Sequence, residues 1–565
     1  MSHPNFCGAA MFSFTSLTAS LAQGNGPSIS SILILVLGLM VAVVALAIIA
    51  PGLHIPYSIL LVLGGLLLGF VPGLPRFTLD PDVVFLLLLP PLLNASAWGT
   101  SWRDFHANLR PISLLALGLV LLTTVVVAVV AHVLIPGLPW AVAFVLGAIV
   151  SPTDAVAATA IAQRLGIPQR IVTIIEGESL VNDATGLVAY RFAVAAVVTG
   201  VFSLGEAGLQ FVVVSVGGIA LGLVAGWSLS YVHRWLDNPP LEITITLVTP
   251  FAVYLLSEEV LHVSGVLATV TTGLYLTWRA PTFFSSGTRL QAYAVWEMLI
   301  FLLNGLVFIL IGLQLPGILA ILNTTVAQRS PIILVWYAIL VSLTVILTRL
   351  IWMFPATALP RMLSRRLRER DPYPGWRPVV LIGWTGMRGA VSLAAALALP
   401  EVTAEGAAFP ERAFVIYLTF GVILATLVVQ GLSLPLLIRG LGLHDDGASE
   451  RQETQARLTA AQAALARLDE LASQNEVSRE SAQHLRKHYE AQVRSLTKRI
   501  KKAANESGED HAITYQRLQR EALQAERSAV IRLRNQGEIN DEVLRRMERE
   551  LDLEEQQLAG EVGKM

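Results

Sequence analysis

Up to residue 443 the chain alternates long apolar runs with short polar breaks, and after it the apolar runs stop. A helix needs about 20 apolar residues to cross the hydrocarbon core of a bilayer. Reading the runs between Pro, Gly and charged breaks predicts thirteen helices, near 29–50, 57–71, 81–98, 111–134, 140–163, 171–200, 209–235, 243–257, 261–278, 291–314, 331–359, 379–400 and 411–438. The second and eighth are short, so the number carries a margin of about one by the length criterion. The remainder reads as amphipathic helix: Leu485, Tyr489, Val493, Leu496 and Ile500 follow the 3–4 spacing of one helical face. Gly537 breaks that pattern, and Asn540 or Asp541 caps a last helix carrying Val543, Leu544, Met547 and Leu551. The expected fold is an all-α polytopic membrane protein, with a lead-in over 1–28, a transmembrane domain over 29–440 and a cytoplasmic helical tail over 444–565. Residues 9–22 have the apolarity of a signal peptide, but no Lys or Arg precedes them, so they read as lead-in.

Charge supports the same division. Only 14% of the residues are charged, against about 25% in soluble proteins. The 122 residues from His444 onward hold 43 of the 81 charged side chains. The loops sort by sign as well. Alternate loops carry Arg103 and Arg110; Arg164 and Arg170; Arg234; Arg279 and Arg289; Arg361, Arg365, Arg366, Arg368, Arg370 and Arg377; and Arg439. The opposite loops carry only Arg76, Arg329 and Arg412. By the positive-inside rule the richer set faces the cytoplasm, which puts the tail inside and the N-terminus outside. A single cysteine, Cys7, excludes disulfides within one chain and any cysteine-based metal cluster. A net charge of -1 gives no reason to expect a nucleic-acid partner.

Polar residues inside the spans are the candidates for chemistry, because a charge at mid-membrane costs at least about 2.5–3.5 kcal/mol on insertion scales. They cluster in three spans. The fifth holds Ser151, Pro152, Thr153 and Asp154; the sixth Glu176, Glu178, Ser179, Asn182 and Asp183; the twelfth Gly383, Gly386, Arg388 and Gly389. On the sixth span Ser179 and Asp183, like Glu178 and Asn182, are four apart and share a face. That helix therefore offers hydroxyl, amide and carboxylate oxygens, the ligands a hard cation prefers. Pro152 frees carbonyls in the fifth span, and the glycines loosen the twelfth. Interrupted helices at matching places in two halves of a chain point to a transporter's binding site. Arg388 cannot deprotonate and is expected to pair with Glu178, leaving Asp183 as the group that titrates. Of the rest, Glu297 and Asn304 read as interhelical glue, Arg349 as snorkelling to a nearby cytoplasmic end, and Glu258 and Glu259 as solvated. Arg191 has no evident partner.

Gly177-Glu178-Ser179-Leu180-Val181-Asn182-Asp183 resembles the signature of the monovalent cation:proton antiporter-1 family, the NhaP-like sodium/proton exchangers, in its bacterial branch. Ser151-Pro152-Thr153-Asp154, Ser264 to Ala268 and Gly386 to Leu393 support it, and the resemblance covers roughly 29–440. It implies a homodimer and a six-helix core of inverted repeats, in which two unwound helices cross. It also implies an ion site on the Thr153 carbonyl, Asp154, Ser179 and Asp183, with Glu178 and Arg388 as a structural ion pair. Asn182 before the ion-binding Asp marks the electroneutral branch. One position departs: many members carry a Glu in the third span where this chain has Ala95, after Pro90-Pro91-Leu92-Leu93-Asn94. Asn94 or a water is the expected substitute.

The expected activity is exchange of Na+, with Li+ or K+ as alternatives, for H+ across the inner membrane, serving pH and cation homeostasis. It needs no cofactor beyond the transported ions and makes no covalent step, so the chain reads as a transporter and not an enzyme. A cation channel would use a continuous polar path, whereas these polar groups cluster at mid-depth. An intramembrane hydrolase lacks a His base in spans five, six and twelve.

Overall fold

A computed structural model describes residues 29–53, 55–72, 81–200, 203–325, 330–443, 448–473 and 479–503, with isolated positions 526, 528–530, 532, 536, 547 and 551. The lead-in, Arg76, Arg329, Gly537 and the Asn540 or Asp541 cap lie outside the described residues.

The described residues are helical, and helix occupies each of the thirteen predicted intervals. In chain order they form α1 (Ile29–Leu53), α2 (Tyr57–Gly69), α3 (Val83–Gly99), α4 (Leu109–Leu134), α5 (Trp140–Val150), α6 (Val156–Arg164), α7 (Gln169–Thr199) and α8 (Leu204–His233). There follow α9 (Pro239–Val260), α10 (Gly265–Phe283), α11 (Ser286–Leu313), α12 (Leu315–Thr325), α13 (Pro331–Leu363), α14 (Trp376–Trp384), α15 (Ala390–Leu397) and α16 (Arg412–Leu441). Eight of the described helical segments are by themselves long and apolar enough to cross a membrane. The short α12 is an addition to the expected pattern, as are short helices over Trp102–Ala107 and Arg365–Arg370.

Two groups of helices emerge from the packing. In one, α4, α5, α7, α13, α14 and α16 pack on one another; in the other, α2 packs on α11 and α10 on α3 and α8. The first group contains the sequence helix, broken helix, helix twice: α4, α5–α6, α7 and α13, α14–α15, α16. Its apolar interior is continuous, from Leu146 and Ile149 of α5 through Val345 of α13 to Phe414 and Leu418 of α16. In the second group α2 and α11 cross at backbone contact. A Cβ on Gly312 would collide with the Val62 carbonyl, so only glycine permits that approach.

Both breaks have local causes. Pro152 has no N–H and its ring opposes the preceding turn, so α5 stops at Val150 and α6 starts at Val156. Glycines at 386 and 389 bracket the second gap, over residues 385–389. Irregular backbone at membrane depth is tolerated where it is buried in protein or lines a cavity.

The described part of the tail falls in a second compact unit, Asp445–Met565. It contains α17 (Ala448–Ser473) and α18 (Arg479–Ala503), which pack on each other. Of the predicted apolar stripe, Leu496 is buried, Tyr489, Val493 and Ile500 are half-buried, and Leu485 is exposed.

Candidate functional site

The two unwound stretches meet. The Asp154 backbone N–H donates to the Met387 carbonyl at 2.8 Å, linking the break between α5 and α6 to that between α14 and α15. Beside this junction is a cavity of about 390 Å³, lined by Thr153, Asp154, Ser179, Asp183, Gly389 and Ser392. Across it stand Ala95 and Ser96 of α3 and Asn304 of α11. It extends along α7 to Glu176 and on to Gln163 and Gly99. That is the end of the bundle where the loops carry Arg103, Arg164 and Arg170.

The two aspartates differ in their partners. The Asp154 carboxylate accepts from the Val156 N–H at 2.9 Å, at the start of α6. Its other oxygen rests against Gly389, where a Cβ would collide with it. Asp183 is buried, lines the cavity and has no hydrogen-bond or ion-pair partner among the described residues. Replacing Gly389 by Ala should push the Asp154 carboxylate aside. We expect transport to fall by roughly an order of magnitude, since displacements of about 1 Å are costly at preorganised sites. The melting temperature should change little; flux and melting of the purified variant check this.

Ser179 and Asn182 fasten α7 to the first break. The Ser179 hydroxyl donates to the Thr153 carbonyl at 3.0 Å and accepts from the Ala155 N–H at 3.3 Å. The Asn182 amide donates to Thr153 Oγ1 at 2.7 Å and to its carbonyl at 3.3 Å. Asn182 is wholly buried and does not line the cavity. Thr153 Oγ1 in turn donates to Glu178 Oε1 at 3.1 Å.

The expected Glu178–Arg388 pair is not what the structure contains. Glu178 pairs with Arg349 of α13 through two parallel contacts, Nη1 to Oε1 and Nη2 to Oε2, the latter at 2.8 Å. Arg349 also donates from Nε and Nη2 to the Ile382 carbonyl near the end of α14, at 3.2 and 3.1 Å. Arg388 instead donates from Nε to the Val150 carbonyl, the last of α5, at 2.9 Å, and from Nη1 to the Gly386 carbonyl. Each arginine therefore serves a carbonyl in the last turn of a broken helix, Ile382 of α14 or Val150 of α5, at the negative end of its dipole. The expected snorkelling of Arg349 is likewise corrected, since its side chain is 0% exposed.

Four smaller expectations change too. Arg191 has a partner, Glu258, at 2.5 Å. Glu258 is not simply solvated, because its Oε1 also accepts from the Gly265 N–H at the start of α10, at 3.0 Å. Asn94 does not face the cavity: it is buried with its Oδ1 against Gly273 of α10. Asn304, expected to be glue, lines the cavity opposite the aspartates.

The family model described as sodium/hydrogen exchanger, transmembrane, matches residues 10–440. The chain belongs to the sodium/hydrogen exchanger family. It is 38% identical over 531 residues to an uncharacterized Na(+)/H(+) exchanger of Mycobacterium tuberculosis, covering 93% of this chain and 96% of that one. It is 36% identical over 392 residues to the sodium, potassium, lithium and rubidium/H(+) antiporter of Bacillus subtilis, covering 68% of this chain and 58% of that one. Its fold matches that of the sodium proton antiporter MjNhaP1 from Methanocaldococcus jannaschii, with a TM-score of 0.57, 20% identity, and coverage of 72% of this chain and 99% of that one. This exchanger is thus a multi-pass membrane transporter and not an enzyme, with the all-helical fold of an NhaP antiporter.

Proposed function

We propose that the exchanger carries Na+ inward or outward against H+, one for one, at a site made by Asp183, Asp154, Ser179 and the Thr153 carbonyl. The observation that carries this reading is the pair of aspartates on one cavity, a half-buried Asp154 with a backbone partner and a buried Asp183 with none among the described residues. Asp154 has a fixed partner in the Val156 N–H. The exchangeable partner, a proton or a cation, falls to Asp183. A buried carboxylate favours its neutral form, so a proton occupies it until a cation supplies the compensating charge. Ser179 and Thr153 contribute neutral oxygens, while Asn182, Glu178 and Arg349 hold the Thr153 segment in place. Asn182 adds no titrating group, so one proton leaves for each cation that enters.

The exchanger acts in this reading as a homodimer in the inner membrane, with the arginine-rich loops and the tail in the cytoplasm. Movement of the α4–α7 and α13–α16 group against the rest exposes the site to each side in turn. Its role is pH and cation homeostasis. Potassium is the second reading. It rests on Ala95, which leaves the far cavity wall without a carboxylate, and on the several cations in the name of the Bacillus subtilis relative.

The test is dequenching of a pH dye in proteoliposomes, run with Na+, Li+ and K+ in turn. Na+ should give the strongest response, and no cation should give one if the reading is wrong. Exchange should also be electroneutral. A steady current that grows with the Na+ gradient, in vesicles free of leaks, would contradict one-for-one exchange and would favour a channel if no proton counterflow accompanied it.

A further inference from the structure

At the arginine-rich end of the transmembrane unit, Asp371 collects three guanidinium groups from separate parts of the chain. Its carboxylate accepts from Arg110 and Arg170 at 2.9 Å and from Arg361 at 2.8 Å. Burial works to raise the Asp371 carboxyl, but the bonds and charges of Arg170, Arg361 and Arg110 outweigh it and hold it below its ordinary value. Asp371 is therefore ionised at physiological pH, and the three arginines with one carboxylate leave an excess of two positive charges. Arg361 is committed, donating to the Asp371 and Thr357 carbonyls as well. Arg110 and Arg170 are not: they are 32% and 49% exposed, and only one and two of their nitrogens, respectively, have a partner.

The same three arginines line a second cavity, of about 180 Å³. Its remaining wall is almost wholly apolar and includes Leu115, Ile174, Met353, Ala356 and Ile382. Two excess guanidinium charges at the rim of an apolar slot, at the end of a membrane bundle, match one ligand chemistry: an anionic headgroup carrying an acyl chain. Basic pockets between helices at this level suit phosphate headgroups, and arginine binds phosphate oxygens bidentately. We propose that this cavity holds one anionic phospholipid, its phosphate on Arg110 and Arg170 and the upper part of one acyl chain in the slot. The occupant reaches the transport machinery through Ile382, whose carbonyl binds Arg349, the partner of Glu178.

The experiment uses full-length protein, delipidated in neutral detergent and offered dioleoylphosphatidylglycerol, dioleoylphosphatidylcholine or inorganic phosphate. Native mass spectrometry counts retained lipid, and melting temperature reports stabilisation. Wild type should retain phosphatidylglycerol in preference to phosphatidylcholine. Arg110→Gln and Arg170→Gln should each weaken that preference roughly fivefold, the effect of one interfacial arginine. Ala356→Phe fills the slot without touching the guanidiniums; it should cost retention of the lipid and leave any effect of inorganic phosphate intact. Equal affinity for the two lipids in wild type, or a preference unchanged in the arginine variants and in Ala356→Phe, overturns the proposal. Stabilisation by inorganic phosphate equal to that by phosphatidylglycerol would make this an ion site and overturn it as well.

Discussion

Asp183→Asn abolishes cation-driven proton movement and leaves the protein folded. The amide matches the carboxylate in size, so packing in α7 is undisturbed. No hydrogen bond or ion pair to a described residue is lost, because Asp183 makes none. What disappears is the ability to exchange a proton for a positive ion. The purified variant should melt close to wild type and give no dye response to Na+ in vesicles. A surviving response would move the carrier role away from Asp183. A collapse in melting temperature would give Asp183 a packing role that its open position in the cavity does not suggest.

The second large effect falls on stability. Glu178 and Arg349 are 2% and 0% exposed, far from water that might stabilise either alone. Removing one member of such a pair costs about 3–5 kcal/mol, because the other charge is left uncompensated. Glu178→Ala and Arg349→Ala should therefore each lower the melting temperature in detergent strongly. The double variant should lose much less than the sum, since no stranded charge remains. The cycle between Glu178 and Arg388 should show clearly weaker coupling than that between Glu178 and Arg349, because Arg388 is bonded to the Val150 and Gly386 carbonyls and meets that carboxylate only through space. Coupling found with Arg388 and not with Arg349 would return the ion pair to the one expected from the sequence.

That contrast marks how far the sequence could be read. The helical intervals were legible because apolar length and Pro/Gly breaks are local properties. The Ser179–Asp183 face of α7 was legible because an unbroken helix fixes which residues share a side. Arg388 was not, since unwinding over residues 385–389 removes the periodicity that would aim its side chain. Arg349 was misplaced for a different reason. The apolar run in the sequence ends near residue 359, but the helix continues through Pro355 and Pro360 to Leu363. Arg349 then lies 14 residues from that end, about 21 Å at 1.5 Å per residue, too deep to snorkel. The Arg191–Glu258 pair joins residues 67 apart in the chain, which no spacing rule detects. Nor could spacing tell that Asn94 turns to Gly273 while Asn304 faces the cavity. Each depends on how neighbouring helices rotate as they pack.

The central claim is that one carboxylate, Asp183, holds either a proton or a cation and never both. The direct measurement is proton release on Na+ addition to purified protein in detergent, in weakly buffered solution with a pH dye, for wild type and Asp183→Asn. Competition at Asp183 predicts that wild type acidifies the medium in a saturable way, with half-saturation moving to higher Na+ as the starting pH falls. It predicts no release from Asp183→Asn. Saturable Na+ binding without proton release from wild type, or undiminished release from the variant, would contradict it.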